Sequence, residues 1–223
     1  MSILTATAKN RYNHTAWFYE PLAALYSFGK IRASKLHELQ YMQPGQNVLY
    51  AGVGGGEDAV RAAEKGAQIT CIDLAPAMLA HVDQKLADAG VNGELICGDL
   101  LLHNRTGHYD VICANYFLNV FTTDVMHKML DHLITLLKPG GLLLVADFAV
   151  PQGNPLLRAT HAFYYRIANV LYWVISNSDL HPIYDYSAIL SRHGLSVSEV
   201  ARHRLFPGGP RYFQTVIAQK PAA

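Results

Sequence analysis

The sequence predicts an α/β fold, a mostly parallel sheet with helices on both faces. Three observations predict it. From Asn47 to Ala146 short apolar runs alternate with helical patterns, the rhythm of strands joined by helical crossovers. The first run, Val48 to Ala51, leads straight into Gly52, Gly54 and Gly56. Asp73 ends the second run, 21 positions after Gly52.

Whole-chain properties narrow the class. The 223 residues suffice for one large domain, and the 51% hydrophobic content excludes a disordered chain. Eighteen basic residues against 17 acidic ones give no basic nucleic-acid surface. No apolar run reaches the roughly 18 residues of a membrane-spanning helix, and MSILTATAKNRYNH lacks a signal-peptide pattern. A cytoplasmic location is the default expectation. Cys71, Cys97 and Cys113 are scattered at the ends of apolar runs, which predicts buried free thiols. The eleven histidines show no HExxH spacing, so no metal is expected.

Residues 1–46 precede the first strand. Tyr12, Trp17, Phe18 and Tyr19 cluster around His14, and a second helical segment after Pro21 breaks at Phe28-Gly29. This region either covers one edge of the core or caps a ligand pocket. Strand one is Val48–Ala51, followed by a helix from Glu57 to Lys65 that Gly66 stops. Strand two is Ala67–Ile72. Pro76 opens a helix reaching about Ala89, and Val91–Cys97 is a short third strand. Tyr109–Ala114 is strand four. Thr123–Leu137 is a helix that Thr122 or Thr123 can cap. Lys138-Pro139-Gly140-Gly141 reads as a turn before strand five, Leu142–Ala146.

Residues 151–182 interrupt the alternation. Leu156–Ile175 reads as an aromatic helix, apolar on more than one face, that needs cover from the domain, a partner or a bound apolar molecule. Arg158, His161 and Arg166 argue against a membrane span, while a peripheral membrane contact stays open. Tyr186–His193 is a last helix. Leu195–His203 and Tyr212–Ala218 are strands joined by a short loop, hence an antiparallel hairpin. No domain linker interrupts the chain. Residues 1–223 are expected to form one domain, with 1–46 a helical cap and 151–182 a helical insertion at the substrate pocket.

The glycines allow a tight turn whose backbone N–H groups approach a ligand, with a helix N-terminus behind them. A simple turn would also use them. In a doubly wound sheet Asp73 lies beside that turn, where it can accept from ribose hydroxyls; it can equally cap the next helix. Together these features predict a nucleoside-containing cofactor. Asp99, at the end of strand three, and Asn115-Tyr116-Phe117, after strand four, fall at the same sheet edge.

At these added positions the chain resembles the class I S-adenosylmethionine-dependent methyltransferases, in particular small-molecule enzymes similar to those methylating quinone precursors. NVLYAGVGGG, CIDLAPAMLAHV, CGDL, YDVICANYFLNVF and LKPGGLLLVADF match five family motifs in order. The resemblance implies a Rossmann-like seven-stranded sheet, order 3-2-1-4-5-7-6 with the last strand antiparallel. It implies S-adenosyl-L-methionine as cofactor, held by Tyr19, Gly52, Gly54, Gly56, Asp73, Leu74, Met78, Asp99, Leu100 and Asn115. One departure is Tyr50, which stands where the family often has an acid.

Methyl transfer from a sulfonium needs positioning and desolvation, and a base only where the acceptor must lose a proton. Candidate catalytic groups are His161, His181 and Tyr165. His161 has Arg158 and Tyr165 as helical neighbours; it is otherwise a boundary histidine. His14, Tyr116, Tyr164, Tyr184 and Arg211 are candidate substrate contacts. The aromatic helix points to a hydrophobic or aromatic acceptor, methylated on oxygen or carbon. The acceptor atom, the number of methylations and the choice between monomer and homodimer stay open. Two alternatives accompany this reading. One is a non-catalytic methyltransferase-like interaction protein, marked by failure to bind the cofactor. The other is a nicotinamide-dependent oxidoreductase, marked by binding of reduced nicotinamide.

Overall fold

A computed structural model describes residues 24–176 and 182–222. Seven strands form one sheet in the order β3-β2-β1-β4-β5-β7-β6, the order the motifs imply. The strands are β1 (Asn47–Ala51), β2 (Gln68–Asp73), β3 (Glu94–Cys97), β4 (Tyr109–Cys113), β5 (Leu137–Phe148), β6 (Ser196–Arg204) and β7 (Arg211–Gln219). Pairing is parallel from β3 to β5. β7 is antiparallel to both neighbours, as the predicted hairpin requires. The α-helices are α1 (Lys30–Leu36), α2 (Glu57–Glu64), α3 (Pro76–Asp88), α4 (Thr123–Leu136), α5 (Pro155–Ser176) and α6 (Tyr186–Arg192).

Two apolar layers enclose the sheet. On one face α4 and α6 bury Met126, Leu130, Leu133 and Leu190 against Leu49, Ile112, Leu143 and Val216. On the other, α2 and α3 bury Ala59, Ala62, Val82 and Leu86 against Val48, Cys71, Val111 and Leu144. Residues alternate between these layers along β1 and β4, because successive strand side chains point to opposite faces.

Three expectations need correction. β5 begins at Leu137, before the predicted turn. Leu137 pairs with Tyr109 across a register shift, and the Gly140 amide bonds the carbonyl of Lys220, so the Lys138–Gly141 stretch joins the sheet. Thr122 occupies the N-cap of α4 but its side chain makes no capping bond. Cys97 is exposed, because β3 is an edge strand; Cys71 and Cys113 are buried, as expected for inner strands. The break at Phe28-Gly29 is present, with φ of 49° and 72°. Among the described residues no helix is long and apolar enough to cross a membrane.

Candidate functional site

Parallel strands direct their carboxyl ends to one edge, where loops can hold a ligand. Gly52, Gly54 and Gly56 leave β1 there with φ of 68°, 55° and 68°. These left-handed conformations are strained for other residues. A Cβ on Gly52 would fall 2.4 Å from Phe117 Cδ2, and one on Gly56 would fall 2.4 Å from Val82 Cγ2. Packing therefore requires these two glycines. Among the described residues Gly54 has open space instead, with only Lys35 Nζ as near as 4.0 Å. The turn is thus a cradle open at its middle glycine. Lys85 of α3 donates to the Gly55 carbonyl at 2.8 Å and ties down the loop's back.

Asp73 ends β2 beside this cradle. Its Oδ1 accepts from the Ala75 amide at 2.9 Å. Burial raises the Asp73 carboxyl above its ordinary range, opposed by backbone N–H groups of Ala75, Gly54, Leu74 and Val53. One carboxylate therefore spans the turn and the entry to α3. Ala75, not Asp73, occupies the N-cap of α3. Asp99 caps the single turn Leu100–Leu102 by accepting from the Leu101 amide at 3.0 Å. Leu100 and Met78 are buried, and Leu74 is half-buried.

Asn115 follows β4 and is fully engaged. Its amide donates to Glu38 Oε2 at 2.8 Å and Asp58 Oδ2 at 3.1 Å, and its carbonyl oxygen accepts from Ala146 N at 2.9 Å. Tyr50 points into the core, its hydroxyl donating to the Asp58 carbonyl at 3.1 Å. Burial pushes Glu38 up to about 8, so it holds its proton at neutral pH. Sequence reasoning missed Lys35, Glu38 and Asp58. Asp58 had a local signal, an acid in the first turn of the helix behind the glycines.

A second group lines the end of β5. Asp147 Oδ1 accepts from Asn119 Nδ2 at 2.8 Å and from the Phe148 amide at 2.7 Å, while Tyr186 donates to Oδ2 at 2.7 Å. Burial raises Asp147 to about 7. Beside it stands an aromatic wall. Tyr26 and Tyr164 stack at 4.4 Å and exchange hydrogen bonds, each hydroxyl donating to the other's carbonyl at 2.7 and 2.8 Å. Tyr164 lies 4.4 Å from Tyr212, and Phe148 lies 4.9 Å from Tyr165 and 5.3 Å from Phe213. Tyr116 joins from the β4 end with φ of 51°, uncommon for a bulky residue. Its hydroxyl is 2.9 Å from Ser34 Oγ.

The remaining candidates separate. His161 is buried and its ring lies 4.5 Å from that of Tyr212; burial lowers it to about 4. Tyr165 packs on Phe148. Tyr184 is buried in the main core and donates to the Phe121 carbonyl at 3.0 Å. Arg211 starts β7 and is exposed. Tyr19, His14 and His181 lie outside the described residues. Among the described residues no group of three His, Cys, Asp or Glu is placed to hold a metal.

Sheet order, open glycine turn and flanking carboxylates define a class I methyltransferase architecture. Residues 48–141 match the model of a methyltransferase domain. An uncharacterized methyltransferase of Synechocystis sp. is 24% identical over 86% of this chain and 87% of its own length. A ubiquinone/menaquinone biosynthesis C-methyltransferase of Serratia proteamaculans is 30% identical over 70% of this chain; the match spans 64% of that protein. In fold, the chain is similar to magnesium protoporphyrin IX methyltransferase of Synechocystis, solved with bound S-adenosylmethionine. Their TM-score is 0.67 at 16% identity, covering 99% of this chain and all of the other. The matched stretch, residues 48–141, is a methyltransferase domain; its activity is S-adenosylmethionine-dependent methyl transfer, with S-adenosylmethionine as cofactor.

The residues present fit that cofactor. The turn offers open backbone at Gly54; Asp73 ends β2 beside it, and Asp99 lies two residues past the end of β3. Asp73→Ala is expected to weaken S-adenosylhomocysteine binding by at least about tenfold, since a lost charge-assisted hydrogen bond is worth roughly 1.5–3 kcal/mol. Calorimetric titration measures this; unchanged affinity would remove Asp73 from the site.

Proposed function

We propose that the chain methylates a hydrophobic or aromatic small molecule, on oxygen or carbon, by in-line displacement. The aromatic wall carries this reading. Tyr26, Tyr116, Phe148, Tyr164, Tyr212 and Phe213 gather beyond the carboxyl end of β5, at the edge where the glycine turn opens. Such a surface supplies apolar area and stacking to a flat acceptor. The quinone-pathway C-methyltransferases among the relatives support an acceptor of this kind.

Bound S-adenosylmethionine supplies an activated methyl group. The chain's own contribution is alignment and exclusion of water. In this reading residues 1–46 and 151–182 close the acceptor side of a single domain. Tyr116 and Tyr164 orient the acceptor, and Arg211 receives an acidic substituent. His161, neutral at pH 7 in its burial, acts as a base only for an acceptor that reaches it. His14, Tyr165, His181 and Tyr184 complete the candidate set.

A methyl-transfer assay over hydrophobic phenols, quinols, amines and thiols tests the proposal. Turnover of phenols or quinols, reduced by Tyr164→Ala, is the expected outcome. Turnover confined to a highly charged, non-aromatic acceptor would overturn it.

A further inference from the structure

Buried carboxylates without partners are costly, and each calls for a donor. Two carboxyl groups sit together beneath the glycine turn, Glu38 in its protonated form beside Asp58. Glu38 and Asp58 share the Asn115 amide, yet among the described residues Glu38 Oε1 and Asp58 Oδ1 are buried with no hydrogen-bond partner. Asp58 is 3% exposed. Lys35 Nζ forms an ion pair with Asp58 Oδ1 at 3.7 Å, beyond hydrogen-bond range. Lys35 stands on the open side of Gly54.

An acid beneath the backbone cradle and a lysine beside its middle glycine match a zwitterion. An α-amino-acid group presents an ammonium and a carboxylate within a few bonds of each other. Lys35 can pair with that carboxylate while Asp58 Oδ1 accepts from the ammonium. The neighbouring hydrogen bonds keep Asp58 in place for this. Tyr50 fixes the Asp58 backbone, and Asn115, itself held by Ala146 N and Glu38, fixes Oδ2. The helix carrying Lys35 is docked independently. The Thr215 hydroxyl donates to the Ser34 carbonyl at 2.8 Å, and Arg32 pairs with Glu57 of α2.

We propose that Lys35 and Asp58 form a clasp for the amino-acid end of the cofactor, with Glu38 as a positioning residue acting through Asn115. The clasp joins α1, before the sheet, to the first turn of α2, after the glycines. Binding of the amino-acid end thereby also fastens the cap to the domain. The inference rests on the cofactor assignment and not on the choice of acceptor.

Two ligands separate the clasp from the rest of the site. S-adenosylhomocysteine has the amino-acid end; 5′-methylthioadenosine keeps adenosine and the thioether without it. Calorimetric titration of wild type with both comes first. In Lys35→Met and Asp58→Asn, S-adenosylhomocysteine affinity is expected to fall on the order of tenfold or more, as for loss of a charge-assisted bond. Affinity for 5′-methylthioadenosine stays within about twofold. Lys35→Arg, which keeps the cation, retains most of the wild-type affinity. An equal loss for both ligands would mean a damaged turn and overturn the clasp, as would undiminished S-adenosylhomocysteine binding in both variants. Wild type that binds neither ligand would instead overturn the cofactor assignment, and the clasp with it.

Discussion

Gly52→Ala is expected to lose measurable S-adenosylhomocysteine binding and to melt several degrees below wild type. Two costs combine. The residue has φ of 68°, and a side chain in that left-handed region costs about 1–2 kcal/mol. The new Cβ would also meet Phe117 Cδ2 at 2.4 Å. Phe117 is held against Phe121, ring centres 5.1 Å apart, and Phe121 is buried in the main core. The clash is therefore relieved by moving the turn, whose Gly52 amide bonds the Ile72 carbonyl at 2.9 Å next to Asp73. Gly90→Ala is the control. Gly90 has nearly the same φ, 67°, and among the described residues nothing within 4 Å of its added Cβ, so it carries the strain without the clash. It should lower the melting temperature slightly and leave binding unchanged. If both variants bind alike, close packing behind the turn has no part in the cofactor site.

This turn was legible because its signals are local. The glycines sit within five positions, and Asp73 follows after one helix, so spacing along the chain fixes spacing in space. The same holds for the β6–β7 hairpin, whose short loop leaves only antiparallel pairing. What stayed hidden depends on residues far apart in sequence. Glu38 meets Asn115 across 77 positions, and Tyr186 meets Asp147 across 39. Neither pair follows from periodicity or motif. Tyr184 and His161 show the converse. His161 stands in the aromatic helix and Tyr184 flanks the irregular segment after it; tertiary packing gave Tyr184 a core carbonyl and His161 a tyrosine face. The early start of β5 has the same origin. Local turn chemistry at Pro139-Gly140-Gly141 was overridden by pairing with β4 and by the bond from Gly140 to Lys220, available only once the sheet had formed.

Glu38→Gln and Asp147→Asn are expected to raise stability relative to wild type at pH 8–9 and to lose that advantage near pH 5. Burial holds Glu38 at about 8 and Asp147 at about 7 in the folded chain. Their ordinary values are 4.5 and 3.8. Between the ordinary and the raised value the folded state binds more protons than the unfolded one, so stability falls as pH rises through that window. It is fully present below about pH 4 and lost as pH passes 7 for Asp147 and 8 for Glu38. The surroundings differ. Glu38 faces Asn115, Asp58, Cys113 and Lys35, whereas Asp147 faces Tyr186, Asn119 and the Phe148 amide. His161 and His203 act in the opposite sense. Burial lowers both to about 4, so they add stability as pH rises from about 4 to 6.5. The wild-type curve therefore mixes both signs, and the informative quantity is the variant-minus-wild-type melting difference across pH 5–9. Each pKa unit corresponds to about 1.4 kcal/mol, and a chain this size shifts about 2–4 °C per kcal/mol. A relative gain of about 5 °C or more between pH 5 and pH 9 is expected for Glu38→Gln. A flat difference would mean that Glu38 titrates as an ordinary carboxylate. Glu38 would then carry charge at neutral pH, which its complete burial does not favour.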